Sequence, residues 1–116
     1  MRVVRINELV KREISSILHT RYREKAVRIT VSGVETSPDL KEAVVYYGVI
    51  GDADTEVQAR RFFAKEAGEI RMMLGKRVVM KYLPHLTFRY DDSLERGSRI
   101  GEIIDSLDLD EDKPSE

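Results

Sequence analysis

Residues 52–77 read DADTEVQARRFFAKEAGEIRMMLGKR, and the reading of this stretch decides the fold. Thr55-Glu56-Val57-Gln58 fits a capping box, with Asp52 and Asp54 just ahead of it. Val57, Phe63, Ala67, Ile70 and Leu74 then recur at helical spacing as far as Gly75, a natural C-terminal glycine. Gly68 stands in the middle, where glycine costs roughly 1 kcal/mol against alanine. Two readings account for it: the helix meets a neighbour closely there, or it kinks and divides in two.

Upstream of this stretch, Ile6, Leu9, Val10, Ile14, Ile17 and Leu18 recur at three- and four-residue steps, which predicts a helix over 4–21. Val27, Ile29 and Val31 alternate with Arg28, Thr30 and Ser32, the pattern of a strand with one covered face. Gly33 within that run suggests a bulge or a close backbone approach. Ser37-Pro38-Asp39 is a turn, and the Val- and Tyr-rich residues 42–50 form a second strand paired with the first as a hairpin. Downstream, 77–90 reads as a long strand that Pro84 interrupts, so that part belongs at an edge or a bulge. Asp92 and Glu95 can cap a last helix carrying Ile100, Ile103, Ile104 and Leu107. The order α-β-β-α-kink-α-β-α predicts a single α+β domain over residues 1–107, a three-stranded sheet with helices on one face. A helix–break–helix unit followed by a strand is the core of the KH RNA-binding module, whose break brings backbone close to four nucleotides. Residues 108–116 are expected to be an acidic, disordered tail.

The length of 116 residues suits one domain, and an apolar content of 41% allows a core. Charged residues reach 35%, above the usual quarter. The formal net charge of −1 conceals an asymmetry. Residues 102–116 carry seven acids and one base, whereas 1–101 hold nineteen bases and fourteen acids. A basic body with an acidic end points to a nucleic-acid partner or, more plainly, to a solvated surface with a frayed end. With no cysteine, disulfides, thiolate zinc sites and cysteine nucleophiles are excluded. No apolar run approaches the roughly 20 residues of a membrane span, and the first residues are too charged for a signal peptide. The expectation is a soluble, cytoplasmic protein with no membrane partner, a monomer when free.

Catalysis finds little support. His19 and His85 lie on different elements without a companion cluster, and Asp91-Asp92 is explained by a strand end and a helix cap. Asp52, Asp54 and Glu56 imitate the opening of a calcium loop. However, Val57 stands where the turn glycine belongs and Phe63 where the bidentate glutamate belongs. Gly48-Val49-Ile50-Gly51 has the spacing of a KH loop but ends a strand, and no phosphate-binding glycine motif is present. No metal, cofactor or catalytic residue is therefore assigned. The basic residues are better organised: Arg60, Arg61 and Lys65 precede Gly68, Arg71, Lys76 and Arg77 follow it, and Arg2, Arg5, Lys11 and Arg12 belong to the first helix. Such a cluster suits the phosphate backbone of RNA. Arg2, Arg5, Arg12, Arg60, Arg61, Lys65, Gly68, Arg71, Lys76 and Arg77 are the candidate RNA-binding residues. Glu56 with Arg60 and Lys65 with Glu69 are also i,i+4 pairs of an ordinary wet helix. Met72, Met73 and Leu74 read as core.

Taken in order, these segments resemble the ribosome-binding factor A family. Arg5, Glu13-Ile14 and Ile17-Leu18 are similar to its first helix, and Thr30-Val31-Ser32-Gly33-Val34-Glu35 with Ser37, Asp39-Leu40 and Ala43-Val44-Val45-Tyr46 to its hairpin. Gly68, Ile70-Arg71 and Leu74-Gly75-Lys76 resemble its kinked-helix segment; Pro84, Leu86, Phe88, Tyr90-Asp91, Ser93, Gly97 and Arg99-Ile100 resemble the last strand and helix. The resemblance implies a type II KH-like fold in which an Ala-x-Gly kink replaces the KH loop. Here that triplet is Glu66-Ala67-Gly68, with glutamate for the first alanine, and Arg23-Glu24-Lys25-Ala26 replaces an Asp-Pro-Arg-like segment. It further implies a non-enzymatic factor of bacterial ribosome biogenesis. Such a factor binds 16S rRNA in free 30S subunits, supports late maturation including 5′-end rRNA processing, and matters most in cold adaptation. The competing readings are a protein-interaction adaptor with no direct RNA contact and, more remotely, a small nuclease.

Overall fold

The computed structural model describes residues 2–92. The chain runs α1 (Arg2–Arg21), β1 (Ile29–Thr36), β2 (Glu42–Val49), α2 (Ala53–Arg77) and β3 (His85–Tyr90). The strands form one sheet in the order β1-β2-β3. β1 pairs with β2 antiparallel, and β2 pairs with β3 parallel. This is the expected α+β, KH-like arrangement. The expected last helix, beyond Asp92, and the acidic tail at 108–116 lie outside the described residues.

The apolar stripe of α1 enters the core as its spacing requires: Val10, Ile14, Ile17 and Leu18 are completely buried, and Ile6 and Leu9 pack against them. In β1 the buried residues are Ile29, Val31, Val34 and Thr36, so the alternation changes phase after Val31. The register explains it. Val31 faces Tyr47 while Gly33 faces Tyr46, which leaves Ser32 as the extra residue of a bulge. Without it, Gly33 and Glu35 would point into the core instead of Val34 and Thr36. The turn that follows is held by side chains. Ser37 Oγ donates to Asp39 Oδ1 at 2.6 Å, and the Lys41 N–H donates to the same carboxylate oxygen at 3.0 Å.

An aromatic row joins the layers. Tyr22 at the end of α1 meets Phe62 of α2 edge-on with centroids 5.0 Å apart, and Phe62 meets Phe63 at 5.2 Å. Phe63 in turn stacks on Phe88 of β3 at 4.4 Å and leans on Tyr47 of β2 at 4.5 Å.

Several expectations about α2 and its surroundings change. The helix starts three residues early: Asp52 is the N-cap, accepting from the Thr55 N–H at 2.9 Å and the Thr55 hydroxyl at 2.8 Å. Gly51, with φ of +151°, leads into that cap in a conformation glycine alone adopts easily. Gly75 does not stop the helix, which ends at Arg77 with Val78 as C-cap. A Cβ on Gly75 would stand 2.9 Å from Leu83 Cδ2, so its role is close packing. Gly68 lies within one uninterrupted helix, and a Cβ there would meet nothing within 4 Å. Neither division of the helix nor a close neighbour accounts for it. Met72 is exposed, not core. Finally, the long strand over 77–90 shortens to His85–Tyr90, because β2 begins at Glu42, which pairs with His85, and offers no partner further upstream.

Two tests follow. Gly68→Ala should stabilise the protein by about 1 kcal/mol, seen as a higher urea midpoint, since the helix continues and the site is open. A divided helix would instead be destabilised by alanine. The second concerns Tyr22, whose hydroxyl donates to Glu66 Oε1 at 3.0 Å. Burial first, then the neighbouring carboxylate, pushes the pKa of this hydroxyl up to about 12. Its folded-state pKa is raised, so its contribution is complete below about pH 10, the unfolded value, and fades as pH rises toward about 12. Tyr22→Phe should flatten that alkaline loss of stability in a pH series of urea midpoints.

Candidate nucleic-acid interface

An α-helix turns each successive residue by about 100°, and the basic residues of α2 therefore point to different neighbours. Arg71 turns toward the connection between α2 and β3. Its Nε donates to the Pro84 carbonyl and its Nη2 to the Leu83 carbonyl, both at 2.8 Å. Arg77 turns toward α1, where Nη1 donates to Ser16 Oγ at 2.8 Å and lies 3.5 Å from Glu13 Oε1. Arg60 pairs with Glu56 on its own helix, as the i,i+4 spacing predicts. These three guanidinium groups are engaged within the fold and do not form one cluster about Gly68.

Arg61 and Lys65 point outward and line a groove of about 370 Å³. Its opposite wall is the connection between α1 and β1, which contributes Lys25 and Arg28. Four cations thus meet from two segments far apart in sequence. Two acids, Glu24 and Glu66, share the lining, and Glu66 accepts the Tyr22 hydroxyl. Arg28 Nη1 also donates to the Ile50 carbonyl at 3.3 Å, which holds its stem across the end of the hairpin. Among the described residues, Lys25, Arg61 and Lys65 form no ion pair within 4.0 Å. The pair expected between Lys65 and Glu69 is therefore not made. Thr55 and Gln58 add polar groups to the wall and Phe62 an aromatic one. The arrangement can hold a polyanion by charge and give it hydrogen bonds.

The remaining sequence-derived candidates lie elsewhere. Tyr22 and Glu66 meet near one end of the helix pair and Ser16 and Arg77 further along, so α1 and α2 run antiparallel. Arg5 is exposed toward the far end of α1, roughly 25 Å of helix from Tyr22. Arg12, also exposed, lies 3.6 Å from Glu13. Arg2 begins α1, and Lys76 is exposed in the last turn of α2. Lys25 and Arg28 line the groove but are not among the sequence-derived candidates. The segment Arg23-Glu24-Lys25-Ala26 alternates in charge and gives no signal until the fold lays it beside α2.

The histidines are exposed, and His85 Nδ1 faces Glu42 at 3.6 Å. No group of three or more His, Asp or Glu able to hold a metal occurs among the described residues, and none of their helices is long and apolar enough to cross a membrane.

Arg71 and the groove cations should separate by assay. Arg71→Ala leaves two carbonyls without their charged donor and should cost about 3 kcal/mol in a denaturant titration. Arg71→Lys should recover only part, because an ammonium cannot span two successive carbonyls as a guanidinium fork does. Arg61→Ala and Lys65→Ala, with no such partners, should stay within about 0.5 kcal/mol of the parent.

Comparison with known proteins agrees with the fold. The family model described as ribosome-binding factor A matches residues 2–104. Ribosome-binding factor A of Opitutus terrae is 38% identical over 107 residues, covering 92% of this chain and 88% of that protein. The crystal structure of ribosome-binding factor A from Thermus thermophilus is similar, with a TM-score of 0.67 and 22% identity, over 76% of this chain and 94% of that one. A homology model of the Thermus thermophilus factor, fitted into the cryo-electron microscopy map of its complex with the 30S subunit, gives a TM-score of 0.60 at 23% identity, over 72% of this chain and 89% of that one. The match along nearly the whole length, joined to the shared fold, places the chain in the ribosome-binding factor A family.

Proposed function

We propose that this protein binds the 16S rRNA of the free 30S subunit in the cytoplasm and supports its late maturation without catalysing a reaction. The observation that carries this reading is the groove in which Lys25, Arg28, Arg61 and Lys65 converge from two segments. The family's name and the 30S complex of the Thermus thermophilus relative support the choice of partner. A basic groove suits the A-form backbone, where phosphates and 2′-hydroxyls are presented in a regular array and base edges are hard to reach. Its affinity comes chiefly from counterion release. Binding then favours the one rRNA conformer that fits, and shifts a population of assembling subunits toward it. Processing at the 16S 5′ end is assisted indirectly, by presenting the folded substrate to a separate nuclease. A requirement in the cold follows from the same mechanism, since misfolded rRNA helices escape slowly at low temperature.

The test is sucrose-gradient sedimentation of the purified protein with 30S and 70S particles at several salt concentrations. The parent should travel with 30S and not with 70S, and salt should weaken the association steeply. A variant with Lys25, Arg28, Arg61 and Lys65 all replaced by alanine should lower the slope of log affinity against log salt by about three, with the circular dichroism unchanged. An unchanged slope removes the groove from the interface and favours a protein-interaction adaptor.

A further inference from the structure

The connection between α2 and β3, residues 78–84, carries a feature that the groove does not use. Its backbone is fixed at several points. Val78 and Pro84 are buried, Leu83 packs against the core and against Gly75, and the Arg71 guanidinium grips the Leu83 and Pro84 carbonyls. On this clamped segment Tyr82 stands outward, 54% exposed. Lys81 Nζ lies 5.5 Å from the Tyr82 ring centroid and Lys41 Nζ lies 5.8 Å from it. Lys41 arrives from the turn between β1 and β2. Its own N–H donates to Asp39, and its carbonyl accepts from the His85 N–H at 2.8 Å. Two separately anchored pieces of chain therefore bring two ammonium groups to one exposed aromatic ring. Glu42, the next residue, faces His85.

We infer that Tyr82, flanked by Lys41 and Lys81, is a stacking site for one unpaired RNA base. The inference rests on the RNA reading above but concerns a different surface and a different kind of RNA. A single exposed tyrosine is commonplace by itself. Here the ring stands on a segment anchored at Val78, Leu83 and Pro84, which lowers the cost of ordering it on binding. Both cations stand within a nucleotide's reach of its face. A base laid on the ring displaces at most a solvated cation–π contact, and the released ammonium groups meet the flanking phosphates. Splayed single-stranded bases stack on aromatic side chains in this way, whereas paired bases are not available to them. The groove would then hold helical backbone, and Tyr82 would read a loop, bulge or end.

The chain contains no tryptophan, so Tyr82→Trp places a single fluorescent reporter on the platform. Full-length protein would be titrated with a labelled single-stranded 12-nucleotide RNA and with a fully paired, blunt-ended RNA duplex, by anisotropy and by tryptophan emission. The single strand should quench the introduced tryptophan and the duplex should not. Tyr82→Leu, which keeps an apolar residue without a ring, should weaken single-strand binding about ten-fold and duplex binding less than about two-fold. Tyr82→Phe should stay within about two-fold of the parent on both. Replacing Lys41 and Lys81 by alanine should lower the single-strand salt slope by about 1.4. If Tyr82→Leu binds the single strand like the parent while the groove variant binds the duplex poorly, the platform is overturned and the groove reading stands. If neither RNA binds the parent, both fall. If Tyr82→Leu weakens 30S association but not binding to naked RNA, the ring meets a ribosomal protein and stacking is overturned.

Discussion

β2 and β3 run parallel, and everything after the hairpin depends on that constraint. Parallel neighbours cannot be joined by a tight turn, so the chain must travel back along the sheet before β3 can begin. α2 makes this return in 25 residues, about 37 Å of helix. Its buried residues Ala59, Phe63, Ile70 and Leu74 close the core over the sheet. Its last turns then place the chain for β3, with Arg71 holding the Leu83 and Pro84 carbonyls immediately before the strand starts. The same crossover lays the outer face of α2 beside residues 24–29, which makes the basic groove, and delivers Tyr82 beside Lys41. Both proposed contact surfaces are consequences of one topological requirement.

The basic residues divide into two populations with different physics. Arg71 and Arg77 bridge elements, where a planar fork of donors can satisfy two acceptors at once. Lys25, Arg61 and Lys65 stand exposed and, among the described residues, make no ion pair within 4.0 Å, which leaves their charges available to an anion. A count of positive residues along α2 joins these two populations. Their hydrogen bonds separate them.

Much of the fold was legible in the residues. The stripe from Ile6 to Leu18, the alternation of Ile29 and Val31, the bulge beside Gly33 and the Ser37–Asp39 turn each depend on spacing and on local backbone chemistry, although Val27, expected on the covered face, precedes the strand and is exposed. A sequence displays both directly. The ordered resemblance to the family drew on the same positions. Around 77–84 the pattern misled for a clear reason. Val78 is buried and Val79 fully exposed, so the strand-like alternation reflects real burial. A strand also needs a hydrogen-bonded neighbour, and that is settled by where β2 begins. Gly68 misled in the opposite direction: its conformational freedom suggested a break, while the packing of Phe63, Ile70 and Leu74 on both sides keeps the helix whole.

Local periodicity and turn chemistry alone determined that this chain is an α+β domain with an amphipathic first helix and a bulged hairpin, because those properties arise between residues a few positions apart. Which charges converge was decided only in three dimensions. Lys25 and Lys65 are separated along the chain by a short connection, a hairpin and half a helix, and only the packing of α2 across the sheet brings them to one groove. The carbonyls that Arg71 holds and the placement of Tyr82 beside Lys41 likewise come from a loop whose path is set by the parallel register. Pair interactions at long sequence separation leave no period to read, and for that reason the candidate site was the less legible part.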